Sequence, residues 1–103
     1  MNLPLILALS LAATPAAPPS PATERSFRLA SELAAWCREE AEAAVVARGQ
    51  TPYQWRASHH ERGNTLHVEG KLRVDGEDLA VACRVARGAR ERYAVLEFPA
   101  AGG

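Results

Sequence analysis

The stretch TLHVEGKLRVDGEDLAVACRVAR, Thr65–Arg87, decides the fold. Apolar residues recur at every second position on both sides of Asp75-Gly76, which is the period of a half-buried strand. Before the turn, Leu66, Val68, Gly70, Leu72 and Val74 share one face, and His67, Glu69, Lys71 and Arg73 the other. After it, Leu79, Val81, Cys83 and Val85 alternate with Ala80, Ala82, Arg84 and Ala86. Asp-Gly is a preferred pair for a two-residue hairpin, because its central residues must take positive φ. That turn sets Leu72 opposite Leu79, Val68 opposite Cys83 and Leu66 opposite Val85. A four-residue turn over Asp75–Asp78 would keep the same faces, since it preserves parity.

The alternation continues outward on both flanks. Tyr53, Trp55 and Ala57 against Gln54, Arg56 and Ser58 predict a preceding strand, joined to Thr65 through Ser58–Asn64 with a turn at Arg62-Gly63-Asn64. Pairing Ser58 with Thr65 sets Trp55 opposite Val68 and Tyr53 over Gly70, so that an aromatic ring covers the strand glycine. Downstream, Arg92–Phe98 predicts a last strand with Ala94, Leu96 and Phe98 inward, reached through a loop at Gly88–Glu91 and ended by Pro99.

Upstream the period changes. No Gly or Pro interrupts Glu24–Arg48, Thr23 is placed as an N-cap, and Gly49 with Pro52 soon after forms a stop signal. At about 100° per residue, Leu29, Ala30, Leu33, Ala34, Cys37, Ala41 and Ala44 gather on one arc, with Trp36 on one margin and Phe27 and Val45 on the other. Arg28, Glu32, Arg38, Glu39 and Glu42 fall opposite. Glu40 lies near the apolar margin and reads as a side chain reaching back to solvent. The fold class is therefore α+β: one N-terminal helix packed on a four-stranded antiparallel meander in the order 1-2-3-4.

The remaining chain sets the compartment. Leu3–Ala13 is an apolar run shorter than the roughly 20 residues a membrane span needs, and Thr14-Pro15-Ala16 offers small residues for cleavage. The expected organisation is a signal peptide over residues 1–16, a Pro-rich tail over 17–22, a single domain over 23–99 and a short tail over 100–103. The product would be periplasmic or secreted, without stable insertion in the membrane. An exported chain with two cysteines is expected to join them, and Cys37 on the helix stripe faces Cys83 on the inward side of its strand. Closing a loop of about 46 residues stabilises a fold by about 4 kcal/mol in the chain-entropy model, comparable to the whole stability of so small a domain.

Composition narrows the function. The 103 residues hold 12 Lys plus Arg and 12 Asp plus Glu, so no whole-chain charge draws the protein to nucleic acid. His59, His60 and His67 with Glu61 lack the spacing of a metal set, and no nucleophile elbow or cofactor-binding motif is present. We expect a non-catalytic protein-interaction module without cofactor, an inhibitor or an accessory factor. Its candidate contact residues are Arg84, Arg87, Arg90 and Arg92, which concentrate positive charge at one hairpin end, together with the alanine-rich outward face around Ala80, Ala82 and Ala86. The alternative is a small ligand or metal held between helix and sheet.

Overall fold

A computed structural model describes residues 24–99. The expected signal peptide, the Pro-rich tail, the Thr23 cap and the tail over 100–103 lie outside them. A helix, α1 (Ala30–Ala47), precedes four strands: β1 (Pro52–Arg62), β2 (Thr65–Val74), β3 (Glu77–Ala86) and β4 (Val95–Glu97). The strands form one antiparallel sheet in the order β1-β2-β3-β4. One helix on a four-stranded meander is the expected architecture.

The central hairpin has the expected register, with Leu72 opposite Leu79, Val68 opposite Cys83 and Leu66 opposite Val85. Its two-residue turn requires positive φ at both central residues, and Asp75 and Gly76 have φ of 53° and 80°. On the inward face Leu66, Val68, Leu72, Val74, Val81, Cys83 and Val85 are buried, and they meet Leu33, Trp36, Cys37, Ala41 and Val45 from α1. A disulfide between Cys37 and Cys83 ties the helix to the sheet across this layer, with Cα atoms 6.1 Å apart. Glu40 is exposed, as its marginal position implied.

Three expectations are corrected. First, the helix starts six residues later than Glu24, and Leu29 is exposed rather than on the buried stripe. Residues 25–27 instead run extended against the loop after β3. The Phe27 N–H donates to the Ala89 carbonyl at 3.0 Å, the Gly88 N–H to the Phe27 carbonyl at 2.6 Å, and the Glu91 N–H to the Arg25 carbonyl at 2.8 Å. This pairing carries Phe27 into the core, fully buried and edge-on to Trp36, and burying a whole aromatic ring outweighs the modest propensity gain of another helical turn. Glu32 then caps the helix from inside, accepting the N–H groups of Arg28 and Leu29 at 2.8 and 3.0 Å.

Second, β1 runs on through Arg62, so Ser58–Arg62 is strand and not loop. Only Gly63-Asn64 forms the turn, with φ of 63° at Gly63. The register moves four residues from the expected one: Trp55 faces Leu72, and Ala57 faces Gly70. An even shift preserves faces, so Trp55 still points inward and its indole lies diagonally over Gly70. Tyr53 does not take that place. The register breaks between Pro52 and Gln54, and Tyr53 is exposed with its hydroxyl accepting from Arg73 Nε at 3.0 Å.

Third, the last strand is shorter than Arg92–Phe98, because Glu91–Tyr93 makes a 3-10 turn before it. The inward set is nevertheless Ala94, Leu96 and Phe98, all packed against the core, with Leu96 opposite Cys83.

Candidate interaction surface

The structure disperses the arginine run. Arg84, on the outward face of β3, donates to Glu97 Oε1 at 3.0 Å across to β4. Arg87 lies just past β3, where its guanidinium pairs with Glu61 of β1 and its backbone N–H donates to the Asn64 carbonyl at 2.7 Å. Arg92 turns to the N-terminal segment and clamps Glu24 in a fork, from Nε at 3.0 Å and Nη2 at 2.8 Å, while its backbone N–H adds a third bond at 2.8 Å. The Arg92 guanidinium holds the Glu24 carboxyl below its ordinary range, with Arg90 contributing charge nearby. Arg90 itself bridges Ser26 through its backbone and has no carboxylate partner among the described residues. Arg90 and Arg92 thus come together around Glu24, whereas Arg84 and Arg87 are each matched elsewhere.

Glu24, Glu61 and Glu91 are the groups that reading by sequence distance misses, since they lie far along the chain from the cations and donors they serve. Glu91 accepts the Trp36 indole N–H at 3.1 Å, tying the loop to the helix, and lies 3.8 Å from Arg25. The only signal in the sequence is the number of carboxylates, which matches that of the cations. The two cysteines are the site pair that the structure does unite.

Among the described residues no element covers the outward face of the sheet. Paired positions across the strands build rows: Gln54-Arg73-Asp78, Arg56-Lys71-Ala80, Ser58-Glu69-Ala82-Glu97 and His60-His67-Arg84-Val95. At one end Asp78 gathers Arg56 and Arg73, at 3.6 and 3.5 Å, so the long Arg56 arm crosses from β1 to β3 beside Ala80. At the other end His60 and His67 stack with ring centres 5.0 Å apart and planes within 9°. Between them lies a shallow depression lined by Arg56, Ser58, Glu69 and Lys71, next to half-buried Ala82. Arg56, Arg62, Lys71, Arg73 and Arg84 face three carboxylates here, Glu69, Asp78 and Glu97, which leaves the face cationic.

The core between α1 and the sheet is apolar, and none of the buried side chains among the described residues is polar or charged, but at its β1 margin the start of α1 (Leu29, Ala30 and Ser31) and His59, His60 and Glu61 line a second open depression. The described residues also contain no group of three or more His, Cys, Asp or Glu arranged to hold a metal ion. No family model, no curated protein and no solved structure matches the chain.

Proposed function

We propose that the protein is a small exported, non-catalytic interaction module, an inhibitor or accessory factor, that docks a protein partner on the outward face of its sheet. The observation that carries this reading is the asymmetry of the sheet. One face is filled by α1, Phe27 and the disulfide, while the other lies bare with Ala80 and Ala82 at its centre and a cationic border. Small residues at the middle of a solvent-facing sheet give a partner close access to the backbone, and surrounding guanidinium groups supply orientation.

Export is supported by the disulfide, which persists in oxidising compartments. No helix among the described residues is long and apolar enough to cross a membrane.

The test is site-directed photo-crosslinking in cells that make the protein. A photoreactive residue at Ala82 should give one discrete adduct, and the same residue at Glu39 on the exposed side of α1 should give none. Equal labelling from both positions, or none from Ala82, rejects the outward face as the contact surface.

A further inference from the structure

We propose that the free edge of β1 pairs with β1 of a second copy, antiparallel about a twofold axis at Ala57, and joins two sheets into one of eight strands. This inference concerns the edge and not the outward face, so it stands or falls separately from the docking reading above.

The edge is unusually long and open. β1 has eleven residues, all those from Arg56 to Arg62 are exposed, and among the described residues no strand pairs with its outer side. β4, at the other edge, has only three. A strand of this length with its outer N–H and C=O groups unpaired is a template for another strand.

The backbone fixes which groups are free. Arg62 and Thr65 close a two-residue hairpin and exchange hydrogen bonds, so Arg62, His60, Ser58, Arg56 and Gln54 direct their backbone groups to β2. Trp55, Ala57, His59 and Glu61 therefore direct theirs to the open edge. Ala57 is both the midpoint of Pro52–Arg62 and one of these outward-bonding residues. Two copies crossing there would pair Ala57 with Ala57 and Trp55 with His59 through reciprocal backbone bonds.

The side chains select that register. With Ala57 on the axis, Arg56 meets Ser58, Gln54 meets His60, Trp55 meets His59 and Tyr53 meets Glu61, so no like charges oppose each other along the strand. Centring on Arg56 sets that residue against its own copy. Centring on His59 sets Arg56 against Arg62, and centring on Ser58 leaves Pro52 and Tyr53 without partner strand. A centre at Trp55 avoids repulsion but leaves His59 to Arg62 without partner strand. Only the Ala57 centre uses the full strand. Charge thus disfavours the Arg56 and His59 centres, and strand length then singles out Ala57.

The test is the mass of the purified protein in solution by sedimentation across micromolar to millimolar chain. Twice the monomer mass is expected, with slowed amide exchange at Trp55, Ala57 and His59. Ala57→Lys and Ala57→Glu each place like charges on the axis and should weaken association at least about tenfold, and an equimolar mixture of the two should recover the dimer. A protein that stays monomeric overturns the proposal, even if a foreign strand is later found on β1. So does a dimer indifferent to both Ala57 variants, or one dispersed only by changes at Ala82, which would place the contact on the sheet face.

Discussion

Gly70 shows how much one missing side chain can decide. A Cβ built there would lie 2.8 Å from Cζ3 and 2.9 Å from Cζ2 of Trp55, inside van der Waals contact, so the indole occupies the space that any other residue would fill. The Trp55 ring covers the weakest point of β2 and extends the core to the edge strand, where it is the one half-buried aromatic. Gly70→Ala must push the ring outward, and we expect a loss of about 1–3 kcal/mol by denaturant titration together with greater access of a quencher to Trp55. Gly70 announced an aromatic cover but not which ring supplies it, since Trp55 and not Tyr53 does, and Asp75-Gly76 marked the hairpin turn and its parity. By contrast, the partners of Arg87 and Arg92 are Glu61 and Glu24, at sequence distances where pairing leaves no periodic trace.

At the scale of elements, strand periodicity carried β2 and β3 to the correct residue pairs, since the Asp75-Gly76 turn fixes the register from inside the hairpin. For β1 the same periodicity fixed only the face. Its polar second half, Ser58 to Arg62, has no apolar alternation because its side chains are exposed on both faces, and an exposed edge strand looks like a loop. The start of α1 was illegible for a related reason: Phe27 suits the helical stripe, but the loop after β3 offers it hydrogen-bonded pairing and a buried site. The Glu24–Arg92 fork holds that segment in place. Because the Glu24 carboxyl sits below its ordinary value of 4.5 in the folded protein, the fork stabilises the fold above that value and loses its effect as the pH falls further and Glu24 is protonated. Glu32, lowered by the Arg28 and Leu29 N–H groups, follows the same sign. Glu24→Gln should therefore lower stability at neutral pH and flatten its decline below about pH 4.5, as followed by thermal melts over an acid pH series.

For the whole molecule, a small core is divided between a helix and one sheet face, with a covalent tie at its centre. Cys37 and Cys83 are both buried, and the apolar layer around them contains no polar group that would favour a thiolate. Their bond holds α1 on one face of the sheet, and among the described residues nothing covers the other face. The proposed function rests on this division, and the proposed export rests on the disulfide. The most direct check is intact mass after alkylation under denaturing conditions without reductant, on protein recovered from the cells that make it. The expected result is an unlabelled chain that gains two alkyl groups only after reduction. Two labelled thiols before reduction would contradict both the covalent tie and export to an oxidising compartment.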